Sequence, residues 1–412
     1  MQEQERNFFL LSLGLMVSRF GTAIYLVSVV LFIRDSSDNA GAIGIFQMIA
    51  HLPILFLAPL AARVTTRYSR KHLMILTDSL RGLFMIAAAL AAGAGVLNYI
   101  GLLILTVLIS VNSAFFLPAS HAIFPELIAP AMIRRRNSLK SVLLLLANFG
   151  GTALGGAAYA RFSVTVIFLF NGLTFLASAL QESFIRTAAH SSVSVSLQPR
   201  MKNLRQALPR IRGVTPLLLV YAMIHALSPP LILSLPFLLD QRYGGGASAF
   251  GLSLSLLLAG GGLGALLYGY STFSRKKSSS IFLLALFLLP VLIIAAGTGR
   301  KLILLYSALA AAGICIGLLF QIITTSLYLY VPEESRGKVF ASLEALASLA
   351  TPISYGVSGF LIQMMRSHLS RFYWIIGAVF FLLSLSLFVR SRMGGLLAGN
   401  SKQYQDREHE AE

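Results

Sequence analysis

The chain has one cysteine in 412 residues, so it can form neither an intrachain disulfide nor a cluster of thiolate metal ligands. Charge is scarce as well: 12% of the residues are charged, against about 25% in ordinary soluble domains. With 56% hydrophobic residues, a soluble protein of this length would lack the polar side chains to cover its surface. Also missing are a Walker A loop, HExxH, GxSxG and any cysteine/histidine metal cluster. These absences argue against an enzyme and against ATP-driven chemistry, and neither a cofactor nor a metal is expected. Acidic residues number only 15 against 33 basic ones, a net charge of +18. Nucleic acid is not the expected partner, because the basic residues fall in short clusters between apolar stretches. That distribution suits anionic lipid and membrane topology.

Apolar runs fill the rest. Twelve stretches of about 20 residues, enough to cross some 30 Å of hydrocarbon, centre near Tyr25, Pro53, Leu83, Thr106, Phe149, Gly172, His225, Leu257, Phe287, Ala312, Ala350 and Val379. The first lacks a small-residue cleavage site and is too long for a signal peptide core, so it reads as a retained helix. The runs carry no period-two alternation, which excludes strands. Cys315, inside "LAAAGICIGLLF", reads as packing. The expected fold is all-α and polytopic, with twelve transmembrane helices.

Twelve spans put both termini on one side. Loops on that side, with the termini, hold 24 Lys and Arg; the opposite loops hold 7, and Arg19 and Arg81 fall within spans. The positive-inside rule therefore places both termini in the cytoplasm, across a cytoplasmic (inner) membrane. The tail "QYQDREHEAE" reads as a disordered cytoplasmic end. The basic link between helices 6 and 7 reads as resting on anionic lipid.

Comparison of the two halves shows a repeat. Tyr68-Ser69-Arg70-Lys71 after helix 2 returns as Phe273-Ser274-Arg275-Lys276 after helix 8, 205 residues on. Pro125-Glu126 after helix 4 returns as Pro332-Glu333 after helix 10, 207 residues on. Two matches at nearly one offset, both in corresponding loops, indicate a duplicated six-helix unit. The expected domains are bundles at 1–186 and 214–392, a cytoplasmic linker at 187–213 and a tail at 393–412. Parallel six-helix repeats imply a secondary transporter with its site at mid-membrane depth between the halves.

On these residues the chain resembles the major facilitator superfamily, and within it the macrolide-efflux-like exporter branch. The resemblance rests on "VSRFG", "ARVTTRYSRKHLMILTDSLR", "PASHAIFPELI", "NFGGTALGG" and "VPEESRGKVF". The loop after helix 2 resembles the superfamily's Gly-x-x-x-Asp-Arg-x-Gly-Arg-Arg signature through Arg67, Arg70 and Lys71, with Ala62, Thr66 and Ser69 at the other signature positions. In the family the aspartate now replaced by Thr66 latches this loop at the cytoplasmic gate. The resemblance thus implies a gate of Arg67, Arg70 and Lys71, with Asp78 and Arg81 as a substitute latch three residues apart on one face of helix 3. The helix 5 run resembles the exporter motif Gly-Pro-x-x-Gly-Gly through Gly151, Gly155 and Gly156, with Thr152 in place of proline. Export by antiport is one implication; plain small-residue helix packing is the other.

Helices 1, 4, 7 and 10 line the cavity in the superfamily, which makes Arg19, Asn112, Tyr221, His225 and Tyr306 the expected cavity groups, with Gln321 nearer the cytoplasmic mouth. Arg19 lies some 11 residues into helix 1, about 17 Å deep at 1.5 Å per residue. A charge at that depth is expensive and marks either a functional group or a structural ion pair. The acid that the family often carries three residues further on is Thr22 here. Glu344 and Asp78 are the expected proton carriers, Glu344 because burial favours a neutral carboxyl; a permanent salt bridge from Glu344 to Arg19 or Arg81 is the alternative. Glu182 sits near the end of helix 6. His51 and His225 are either titrating groups or hydrogen-bonded packing. Pro229, Pro230 and Pro352 are expected to interrupt helices 7 and 11.

The resemblance implies a secondary active transporter, with proton-coupled efflux of drug- or macrolide-like amphipathic molecules by alternating access as the leading expectation. Lysophospholipid or siderophore transport is the alternative on the same fold, and a non-transporting receptor-like member the alternative of another class. The expected partners are a small-molecule substrate, a coupling proton and membrane lipid. No oligomer is required.

Overall fold

A computed structural model describes residues 2–129, 132–186, 214–271, 274–331 and 333–391. The expected linker at 187–213 and tail at 393–412 lie outside the described residues, as do Phe273 and Pro332 of the repeat motifs. Twelve α-helices make up nearly all of what is described: α1 Gln2–Ser37, α2 Ala40–Arg67, α3 Arg70–Gly93, α4 Tyr99–Ile123, α5 Ile133–Arg161, α6 Val164–Ser183, α7 Val214–Tyr243, α8 Ala247–Gly269, α9 Arg275–Thr298, α10 Leu302–Tyr330, α11 Glu333–Met364 and α12 Leu369–Ser391. Each contains a stretch long and apolar enough to cross a membrane. The expected number of spans is therefore found.

Polar caps set the helix starts. Asn39 accepts from the N–H groups of Gly41 and Ala42 at 2.8 and 3.3 Å, and Asn98 from Gly101 at 2.8 Å. Between α1 and α2 only Asp38 and Asn39 remain, and Asp38 takes a φ of 50°, a left-handed turn that aspartate tolerates better than most residues. A link that short forces α2 back along α1. Outward faces stay apolar, with Leu90, Ile100, Ile303 and Phe360 among the exposed large side chains. Helices apolar on both faces belong in lipid.

The chain divides by packing into two units. One holds the described residues of Met1–Gln198 together with Leu233–Ser255 and Tyr355–Gln363; the other holds those of Pro199–Ile232, Leu256–Ser354 and Met364–Glu412. In the first unit α3 packs on α6 and α4, and α1 on α5 and α6. Its apolar core at the basic end gathers Phe8, Leu11, Met74, Phe116, Ile123, Phe124 and Ile185.

That end is also tied by polar contacts. The amide of Asn7, 4% exposed, donates to the Arg186 carbonyl at 2.7 Å and accepts from the Arg186 N–H at 3.1 Å. Two hydrogen bonds worth roughly 0.5–1.5 kcal/mol each join the start of α1 to the chain leaving α6. Asn7→Ala is expected to lower unfolding free energy by about 1–2 kcal/mol, read by denaturant titration in mixed micelles. A loss below experimental error would show that these bonds are replaced by water.

In the second unit, prolines do not interrupt α7: the helix runs unbroken through Pro229 and Pro230. Pro230 cannot donate to the carbonyl four residues back, that of Ala226. The hydroxyl of Ser354 on α11 donates to that carbonyl instead. A neighbouring helix thus satisfies the group that proline leaves free, as hydrocarbon requires. α11 likewise continues through Pro352.

Candidate transport site

In the first unit, Arg19 sits at the middle of the long helix α1, whose 36 residues span about 54 Å. α1 begins at Gln2, so Arg19 lies 17 residues in, about 26 Å from the helix start rather than the expected 17 Å. Its side chain is exposed, and it enters no hydrogen bond or ion pair among the described residues. It lies within electrostatic range of Arg81 and of His121, which in turn is within range of Lys140. Lys140 rests 3.8 Å from the centre of the Phe124 ring. The charged group within range of Arg19 is thus Arg81, which shares its sign. Asn112 on α4 is 9% exposed and donates to its own helix at the Leu108 carbonyl, 2.8 Å away.

Asp78 and Arg81 form an ion pair on α3, three residues apart. Both are buried inside the first unit, with the Arg81 guanidinium held between the rings of Phe116 (4.2 Å) and Phe175 (4.7 Å). Glu182, 1% exposed, is the second acid of this interior. The signature-like loop works outside it. Arg70 pairs with Glu126 in the turn after α4, and Lys71 Nζ donates 2.7 Å to the Ser183 carbonyl at the end of α6, where a cation complements the helix dipole. Arg67 is exposed, and Thr66 bonds its own helix at the Arg63 carbonyl, 2.8 Å away. Sequence reasoning marked Pro125-Glu126 only as a repeat; that Glu126 answers Arg70 is visible only once α3 and α4 are packed.

The glycines of α5 serve two neighbours. A Cβ on Gly151 would lie 2.6 Å from Ala23 Cβ and 2.7 Å from the Phe20 carbonyl oxygen; one on Gly155 would lie 2.9 Å from Val27 Cβ, all on α1. Gly156 faces α8 instead, where a Cβ would lie 2.1 Å from the Ala247 carbonyl oxygen. Thr152, at the motif's proline position, shares a 2.8 Å hydrogen bond with Ser255 of α8, and Ser255 donates 3.1 Å to the Phe149 carbonyl. Proline at 152 could not make the first of these bonds.

In the second unit, Tyr221 and His225 of α7 cluster with Phe320 of α10 at ring separations of 4.8–5.2 Å. His225 Nδ1 lies 3.3 Å from the Thr351 hydroxyl on α11. Glu344 is within electrostatic range of Tyr221, but its side chain is exposed rather than buried. The burial on which its expected role rested is absent. Tyr306 lies fourteen residues before Phe320 on α10, about 21 Å along the helix, and so stands apart from this cluster. His51 belongs to the first unit, stacked 5.5 Å from Tyr355, with Nδ1 2.8 Å from the Gln47 carbonyl. Cys315 is a buried free thiol. Among the described residues no group of acids, histidines and cysteine is placed to hold a metal.

Comparison with known proteins fits this architecture. The chain is 21% identical to macrolide efflux protein A of Streptococcus pyogenes, over 84% of this chain and 87% of that one. It is 30% identical over 172 residues to an MFS-type transporter, YfiS, of Bacillus subtilis, a match spanning 38% of this chain and 39% of that relative. The crystal structure of a point mutant of the nucleoside transporter NupG superposes with a TM-score of 0.74 at 12% identity, covering 96% of this chain and all of that one. Its likeness speaks for the fold alone. The profile of a family described as transmembrane secretion effectors matches residues 4–402, and the chain belongs to that family of multi-pass MFS transporters.

Proposed function

We propose that the chain is a proton-coupled secondary exporter of amphipathic small molecules, working by alternating access in the cytoplasmic membrane with both termini inside. The observation that carries the reading is the state of Arg19: a charge at mid-helix depth, exposed and without an ion pair among the described residues. A structural charge at that depth would have a carboxylate beside it; a cargo-binding charge is left open. Within the second unit, Tyr221, His225 and Phe320 form an aromatic cluster of the kind that suits apolar ligands. The full-length likeness to a macrolide efflux protein supports export and drug-like cargo.

An anionic cargo, such as a lysophospholipid or a siderophore, is the variant favoured by the second cation, Arg81, within range of Arg19. Efflux assays in cells expressing the chain separate the two. Arg19→Gln is expected to lower export of anionic amphiphiles at least about tenfold, the worth of one charge-assisted hydrogen bond, while protein abundance is unchanged. Export of neutral macrolides should change less. Collapse of abundance in this variant would instead make Arg19 a structural charge, and equal accumulation in expressing and empty cells across a broad panel would reject the exporter.

A further inference from the structure

The interior of the first unit carries an unbalanced charge. Asp78, Arg81 and Glu182 are 0%, 7% and 1% exposed. Arg81 engages one oxygen of Asp78. The other Asp78 oxygen, both oxygens of Glu182 and the hydroxyl of Ser178 have no hydrogen-bond partner. Ser178, 0% exposed, faces both carboxyl groups without reaching hydrogen-bond geometry with either. It is a buried polar group aimed into the cluster. α1 closes the space with Gly14, where a Cβ would lie 3.2 Å from Ser178 Oγ and 3.1 Å from Gln181 Oε1.

The charged neighbours are few. α3 contributes Asp78 and Arg81, α6 contributes Glu182, and α1 brings Arg19 within range of Arg81. From α4 the neighbour is the Phe116 ring, while His121 on that helix faces Arg19 and Lys140. Two carboxylates against one local guanidinium leave one negative charge too many. An ionised Glu182 here would have at most the Ser178 hydroxyl, shared with Asp78, to turn toward it, which low-dielectric surroundings penalise heavily. One proton corrects both faults. It neutralises the excess charge, and a neutral Glu182 can donate to Ser178 Oγ or to the free Asp78 oxygen, each an acceptor now without a donor. A sodium ion would correct the charge too, but it would have to sit beside Arg81 and be repelled by it.

We propose that Glu182, Asp78, Arg81 and Ser178 form a proton-binding site in which Glu182 carries one exchangeable proton above the Asp78–Arg81 pair. Its exit lies close by: Glu182 is followed by the exposed Ser183, which ends α6 and whose carbonyl Lys71 holds. The proton itself follows from this geometry; its part in transport rests on the proton-coupled reading above.

Infrared difference spectra of the purified full chain in lipid, acid minus alkaline, test the site without any cargo. The expected result is a carboxylic C=O band that grows as pH falls, is lost in Glu182→Gln and persists in Glu344→Gln. Glu182→Gln should remain folded and be at least as stable as the unmodified chain at alkaline pH, since it removes the excess charge. Glu182→Asp, which keeps an acid, should retain a titrating band at an altered frequency. An unchanged band in both Glu182 variants overturns the proposal. So does a sodium-dependent, rather than pH-dependent, change in the carboxylate bands that Glu182→Gln abolishes. A band that behaves as expected while export ignores the pH gradient supports the site and rejects the coupled function.

Discussion

Arg81→Met is expected to remove about 3–5 kcal/mol of stability, the usual cost of taking one partner from a buried ion pair. Arg81 is the cation that the first unit places beside Asp78 and within range of Glu182, and its guanidinium also fills the gap between Phe116 and Phe175. Methionine restores much of the volume and none of the charge. Asp78 is then left ionised at 0% exposure, with only the neutral Ser178 hydroxyl facing it, or it must be protonated. Adding Asp78→Asn should recover most of the loss, because a neutral pair of similar shape avoids the desolvation of both charges. Denaturant titration of the single and double variants in mixed micelles reads this directly. If the single variant lost less than about 1 kcal/mol, the pair would behave like a hydrated surface bridge and the interior would have to admit water.

These residues also mark what a sequence can disclose. The spacing of Asp78 and Arg81 placed them on one helix face, because a helix repeats every 3.6 residues and neighbours three apart must adjoin. The helices themselves were legible for an equally local reason: hydrocarbon sets their length and composition. The third member of the cluster was not. Glu182 could be read only as an acid near the end of a span, since its meeting with Asp78 depends on α3 packing against α6. Arg19 and Glu344 divide in the same way. Position along a helix is one-dimensional, and Arg19 was legible as a charge inside the first span; whether a side chain faces neighbours or open space is not, and Glu344, expected in the interior, is exposed. Thr152 gives the clearest case. In sequence it is a departure from an exporter motif, and in the structure it supplies a hydrogen bond to Ser255 that the motif's proline could not make.

That hydrogen bond lies on a contact with a second large predicted effect. At Gly156 a Cβ would stand 2.1 Å from the carbonyl oxygen and 2.8 Å from the carbonyl carbon of Ala247, both backbone atoms that cannot turn aside. Gly156→Leu therefore has to push α5 and α8 apart. In the proposed alternating-access cycle this contact, made between helices of the two sequence repeats, is one that opens and closes. The substitution then penalises only the state in which it is closed. An overpacking cost of about 1–3 kcal/mol applied to one state shifts the balance between states by roughly 5–150-fold. Export should fall accordingly while abundance holds. Gly155→Leu makes the contrast, because its Cβ would press on Val27 and Ile24 of α1 inside one bundle, and it should lower abundance instead. The single native cysteine makes the opening measurable: in a Cys315→Ser background, Ser255→Cys on α8, 0% exposed, should label slowly, and Gly156→Leu should speed that labelling about tenfold or more. Unchanged labelling together with lost abundance would make the α5–α8 contact permanent packing, and the exporter-like glycines would then carry no gating role.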